Sequence, residues 1–301
     1  MSYTVLADSN NRETWLAARQ RGVGASETPA LMGLVSYASP VSLWAVKTGR
    51  VIEDDAVFEN ERMRWGTKLE PLVAEEYDRQ TGREVQQWGD LLSYDALPFI
   101  LATPDYFFED NGENIPVEIK TTDVSRASDW AEGVPDRVYC QIQQQLAVTG
   151  APYGSTGVLV GGNTFRWADV ERDEAYIESI VNTCGEFWEY VTSDTPPPMD
   201  GSEATADAIK KMWPQGAPGE AIVLPDEVYD WKRDIDAAKA AVKLAKEQQA
   251  RIENEVKAAL GNNEVGLYPD GSVAFTYKTQ VRKSYTVKDA SFRVLRARKV
   301  K

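Results

Sequence analysis

The stretch ATPDYFFEDNGENIPVEIK, residues 102–120, reads as two strands joined by a tight turn. Asp110-Asn111-Gly112 is a turn-forming triplet, and the runs on either side, LPFILATPDYFFED and NIPVEIKTT, are rich in aromatic and β-branched residues. Strand side chains alternate with a period of two. Glu118 and Lys120 therefore project from one face while Ile119 turns into the core. If the two strands pair as a hairpin, Asp105 comes alongside Glu118. Two carboxylates converging on one point suit a hard cation such as Mg²⁺ or Mn²⁺, which prefers oxygen ligands and keeps several waters. A lysine beside such an ion could orient or deprotonate the attacking water and neutralise charge on a phosphate. The same alternation also occurs on ordinary surface hairpins.

Outward from this hairpin the chain mixes helices and strands. Residues 60–80 place apolar side chains at 65, 69, 72, 73 and 77, the spacing of an amphipathic helix that Gly82 ends. Glu70 lies on it, and a carboxylate on a core-facing side is costly unless paired or metal-bound. Residues 135–149 predict a second helix stopped by Gly150. Gln141 and Gln144 share one face of it and Gln145 extends the polar patch, which suits either phosphate positioning or a solvated surface. A hairpin around Gly161-Gly162-Asn163 and a helix over 173–191 follow. The fold class is α/β of the α+β type.

The three prolines in TSDTPPPMDGSEA, residues 192–204, mark a break. The expected organisation is a core over 1–193, a Pro-rich linker over 194–220, and an arm over 221–301. In the arm, Val228, Trp231, Ile235, Ala238, Val242, Ala245, Gln249, Ile252 and Val256 recur at alternating spacings of three and four, a heptad seam with one polar interruption. A hairpin turning at Pro269-Asp270-Gly271 and a basic tail complete it.

Composition narrows the chemistry. The 301 residues include no histidine, which excludes His-based triads, His-ligated zinc and HNH-type nucleases. Cys140 and Cys184 are too few for a zinc or iron–sulfur ligand set and read as buried thiols of a reducing compartment. Net charge is −14, yet Lys278–Lys301 holds nine basic residues and one acid. An acidic body with a basic tail fits an anionic partner met locally, or a merely solvated terminus. No apolar run approaches the roughly 20 residues that span a bilayer, and the start lacks a signal-peptide pattern, so a cytoplasmic location is expected.

The order WGTKLEP (65–71), ATPD (102–105), VEIK (117–120) and QIQQQL (141–146) resembles the PD-(D/E)xK nuclease superfamily. More narrowly, it is similar to the YqaJ-type viral recombinase nucleases related to phage lambda exonuclease. RQRGVGASETPALMGLVSYASPVSLWAVKTGR, residues 19–50, is similar to that family's opening segment, and the likeness spans about residues 12–192. It implies a restriction-endonuclease-like core, a central mixed sheet flanked by helices. It also implies Asp105, Glu118 and the Ile119 carbonyl as metal ligands, Lys120 as the catalytic lysine, Glu70 as a further metal or water holder, and Gln141 as the helix glutamine of the active site. Ser26 and Arg19, with Arg21 as the alternative to Arg19, match residues that bind a 5′-terminal phosphate. A Ser hydroxyl near a helix start with a guanidinium makes an anion pocket, although Ser26 also suits a plain N-cap.

The resemblance thus implies a Mg²⁺-dependent (or Mn²⁺-dependent) 5′→3′ exonuclease on linear double-stranded DNA ends. It would leave 3′ single strands for a single-strand annealing protein during phage-type recombination in a bacterial host. Family members form rings, so a homo-oligomer, trimer or tetramer, is expected. A site-specific or structure-specific endonuclease shares the same core chemistry. A non-catalytic acidic DNA mimic is the alternative from a different class.

Overall fold

Asn111 and Gly112 take φ of 52° and 82° at the turn. There β6 (Tyr106–Asp110) reverses into β7 (Glu113–Thr122), antiparallel, with Tyr106 opposite Val117. This computed structural model describes residues 3–8, 11–52, 61–216, 219 and 221–280. The basic tail from 281 onward lies outside the described residues.

β7 pairs on its other side with β8 (Tyr153–Val160), in parallel, and β8 turns back into β9 (Thr164–Glu171). With β3 (Gln86–Gln87) at the far edge, the sheet is mixed and five-stranded, in the order β3-β6-β7-β8-β9. Parallel neighbours need a long crossover. Here a 3₁₀ segment (Val124–Trp130) and the helix Asp136–Thr149 supply it. A smaller sheet has the order β1-β4-β5-β2, formed by β1 (Tyr3–Ala7), β2 (Val23–Gly24), β4 (Leu91–Tyr94) and β5 (Ile100–Ala102).

The remaining helices are α1 (Arg12–Arg19), α2 (Thr28–Leu31), α3 (Pro40–Lys47), α4 (Glu61–Thr81), α5 (Asp136–Thr149), α6 (Glu174–Thr192), α7 (Glu203–Met212) and α8 (Val228–Leu260). α4 lays Val73, Ala74 and Tyr77 into the core against the larger sheet. α5 touches both sheets and is buried along most of its length. A Cβ at Gly154 on β8 would come within 2.8 Å of Ile142, so the glycine is what lets α5 approach the strand this closely.

The burial of α5 corrects one expectation. Gln143, Gln144 and Gln145 are all fully buried rather than part of a solvated patch. Successive helix positions turn by about 100°, and each amide meets a different neighbour. Gln143 bonds the Glu171 carbonyl and the Asp173 N–H. Gln144 donates to the Val23 and Leu101 carbonyls in the smaller sheet, at 2.8 Å each. Gln145 reaches β7.

The first compact unit extends to Pro214, and the second runs from Gln215 to Lys301. Part of the stretch expected as a linker is therefore folded. Ser202 caps α7, which buries Ala204, Thr205 and Ala208, and Thr205 donates to Ser39 at 2.8 Å. A ten-residue helix with one small apolar face leaves little trace in periodicity. In the second unit, β10 (Val265–Leu267) and β11 (Val273–Thr276) form an antiparallel hairpin after α8. Cys140 and Cys184 are free and buried, and burial pushes both thiols up to about 12. No helix among the described residues is long and apolar enough to cross a membrane.

Candidate active site

One step beyond the Tyr106–Val117 pair, the antiparallel register sets Asp105 opposite Glu118. The Ile119 N–H donates to Asp105 Oδ2 at 2.9 Å, which ties the two strands together at this point. The Ile119 side chain faces the core, and Glu118 and Lys120 share the opposite face as the strand period requires.

Glu118 is 1% exposed and is the anchor of the site. Lys120 Nζ is ion-paired to Oε1. Gln141 Nε2 donates to the same oxygen at 2.7 Å, and Gln145 Nε2 donates to Oε2 at 2.6 Å. Gln141 and Gln145 lie one turn apart on α5 and grip the two oxygens from above. A carboxylate offers about four acceptor positions, so three donors leave one open. In the sequence Gln145 merely extends a polar patch, and its hold on Glu118 comes from the fold. Gln144, grouped there with Gln141, belongs to the smaller sheet instead.

Glu70 reaches the same cavity from α4, immediately before the in-helix Pro71. The cavity holds about 500 Å³ and is lined by Glu70, Asp105, Glu118, Lys120 and Gln141, with Arg62 and Arg137 at its rim. Burial and the charge of Glu118 raise the carboxyl of Glu70, with Lys120 opposing. Burial likewise lifts Asp105 well above the ordinary aspartate value, reinforced by Glu118 and Glu70 and opposed by Lys120 and the Ile119 N–H. Burial depresses Lys120, but Glu118 and Asp105 outweigh it and hold the ammonium protonated. The cluster is short of positive charge.

Among the described residues no three carboxylate or thiol side chains converge closely enough to hold a cation alone. Two facing carboxylates, one with an open acceptor position, fit an ion that completes its shell with a backbone carbonyl, water and substrate phosphate.

A second cavity of about 270 Å³ shares Ser26, Asp105, Glu118, Lys120 and Gln141 with the first, and Trp15 and Arg19 close its other side. Arg19 lies over the Trp15 ring, 5.4 Å from its centroid, and donates toward Ser26 Oγ at 3.4 Å. Arg21 is exposed and lines neither cavity. Ser26 does not cap a helix. Glu27 takes that position on the four-residue α2, and its carboxylate accepts the Gly24 N–H at 2.8 Å.

Glu27 also pairs with Arg19 at 3.1 Å and with Lys47 at 2.9 Å, the latter side chain 1% exposed. Burial raises Glu27, but the charges of Lys47 and Arg19 and its hydrogen bonds hold it below the ordinary glutamate value. This carboxylate orients Arg19. Sequence spacing carried no sign of it, because ion partners 20 positions apart follow no period.

The YqaJ-like viral recombinase domain profile matches residues 14–152. That range contains Arg19, Ser26, Glu70, Asp105, Glu118, Lys120, Gln141 and Gln145. The uncharacterized protein YqaJ of Bacillus subtilis (strain 168) is 30% identical over 261 residues, covering 85% of this chain and 81% of that protein. Among solved structures, an alkaline exonuclease from Laribacter hongkongensis superposes with a TM-score of 0.49 at 22% identity, over 60% of this chain and 93% of that one. A phage related exonuclease from Haemophilus somnus 129PT gives 0.41 at 11% identity, over 57% and 96%.

Proposed function

The chain belongs to the YqaJ-like viral recombinase family, and from that premise we infer that it is a metal-dependent nuclease degrading linear double-stranded DNA from its 5′ ends. One observation carries the reading: the Asp105–Glu118–Lys120 cluster and the Arg19–Ser26 pair open onto adjoining cavities that share their acidic wall. Hydrolytic groups and an anion-binding pair thus lie within reach of one strand end.

Asp105, Glu118 and the Ile119 carbonyl would hold Mg²⁺ or Mn²⁺. When bound, such an ion supplies Lewis acidity and a water activated at neutral pH. Lys120, an ammonium in this arrangement, donates to the scissile phosphate and offsets its developing charge. Glu70 orients water within the cavity. Gln141 and Gln145 hold Glu118 so that its open acceptor position faces inward. Arg19 and Ser26 take the terminal 5′-phosphate through charge-assisted bonds, and Arg21 takes no part.

The product is a 3′ single strand suited to a single-strand annealing partner, in the cytoplasm of a bacterial host carrying the phage or prophage. A ring of several copies accommodates the acidic composition, with basic surface lining the channel and acid facing outward. Digestion of linear, nicked and closed-circular duplexes with Mg²⁺, with and without chelator, tests this. Loss of the linear duplex alone, with 3′ strands surviving and chelator stopping the reaction, is the expected result. Cleavage of the closed circle overturns the exonuclease reading in favour of an endonuclease, and chelator-resistant activity overturns the metal.

A further inference from the structure

Among the described residues of the second unit, Leu260 alone is buried. The 33-residue α8 leaves Trp231, Ile235, Val242 and Ile252 between 39% and 52% exposed. Ion pairs one turn apart, such as Lys232–Asp236 and Arg251–Glu255, support the helix locally. Such pairs contribute little, and helices of globular proteins owe most of their stability to packing of an apolar face.

The spacing of the seam makes Val228, Ile235, Val242, Gln249 and Val256 the a positions of a heptad repeat, with Trp231, Ala238, Ala245 and Ile252 at d. We propose that α8 pairs with α8 of a second copy of this chain, parallel and in register. This inference stands on the helix alone and does not rest on the nuclease reading.

Three features point to that occupant. Four of the five a residues are β-branched, the a-position half of the two-stranded pattern, while the d positions carry Trp, Ala and Ile in place of Leu. Gln249, the polar a residue, meets its own counterpart only in register, where each amide can donate to the other. The flanking charges decide direction. Parallel pairing sets Asp234 at g against Lys239 at e of the partner helix, once on each side. Antiparallel pairing sets Lys239 against Lys246 and Asp234 against Glu255, like against like, and only Lys232 against Glu253 as opposites, so repulsive contacts outnumber attractive ones two to one. The small Ala238 and Ala245 at d let the backbones approach.

The test uses the full-length chain, in which the native cysteines are buried. Ala238→Cys, oxidised with copper–phenanthroline, is expected to give a disulfide-linked dimer. A mixture of Ala238→Cys and Gln249→Cys chains is expected to give no mixed dimer, because these positions face each other only in the antiparallel arrangement. Asp234→Lys in the Ala238→Cys background should lower the cross-linked fraction severalfold, and adding Lys239→Asp should restore it. A mixed dimer, absence of cross-linking in Ala238→Cys, or a cross-linked fraction indifferent to both charge changes overturns the proposal. So does a monomeric mass by light scattering of the unmodified chain at tens of micromolar.

Discussion

Gln145→Leu separates what this amide does for the fold from what it does for the site. Its Nε2 is the donor on Glu118 Oε2, at 2.6 Å, while its own Oε1 is buried with no hydrogen-bond partner. A bond to a charged group is worth about 1.5–3 kcal/mol, and an unsatisfied buried acceptor costs about 1–3 kcal/mol. Leucine has a similar volume and removes both terms at once. The two partly offset each other, but Glu118 Oε2 stays buried without its donor, so the variant should be less stable than the parent chain by about 1–3 kcal/mol. The site feels only the loss. With its Oε2 released, Glu118 keeps Lys120 and Gln141 on Oε1 and can swing about that end. If the lost bond is expressed fully in the reaction step, the rate falls roughly 10- to 150-fold. Denaturant midpoints and initial nucleotide release from linear duplex at saturating Mg²⁺ measure the two effects. A Gln145→Leu chain with the parent rate refutes the reasoning, whatever its stability.

Lys120→Ala should abolish hydrolysis with divalent binding by calorimetry largely retained, because an ammonium is not a ligand, whereas Glu118→Gln should weaken that binding as well. Arg19→Ala should erase a preference for 5′-phosphate over 5′-hydroxyl ends, read as initiation rate, and Arg21→Ala should keep it. The reverse pattern would move the pocket to Arg21. Glu27 has a folded pKa below its unfolded value of 4.5, so its stabilisation is fully present above that value and is lost as pH falls through the lower, folded one. Glu27→Gln should therefore be less stable than the parent chain near neutrality, with the gap narrowing as denaturation is followed down to about pH 3. A gap that stays constant with pH would mean the carboxylate is not held by charge.

What could be read from residues alone was what short-range rules control. The turn at Asn111-Gly112 and the alternation beyond it define one register, and that register alone sets Asp105 opposite Glu118. Glu70 was legible because the helix that carries it has an apolar period, of which Val73 and Tyr77 are buried while Trp65 and Leu72 lie exposed. Gln141 was legible through the order of the motifs, but the places of Gln143, Gln144 and Gln145 were not, since a polar run reads as solvated unless one knows that sheets lie on both sides. Only the tertiary arrangement assigns Gln144 to one sheet and Gln145 to the other. The Glu27–Lys47 pair was hidden for a related reason: burial turns two ordinary surface residue types into a fixed internal support. Helix α7 follows three prolines, a signal strong enough to mask a short element behind it.

The crossover from β7 through α5 to β8 also bears on how the protein can change over evolutionary time. Asp105, Glu118, Lys120, Gln141 and Gln145 all come from one continuous stretch of chain, whose contacts close small loops, and Glu70 joins them from the helix just before it. Arg19, Ser26 and Glu27 reach the same place from a distant segment on another sheet. Bond cleavage and the choice of strand end, as proposed, are therefore written in separate parts of the sequence. Substitutions in the first twenty-odd residues can retune which ends are accepted without touching the hydrolytic groups. A lineage carrying this scaffold can diversify in substrate while its chemistry stays inherited as a block.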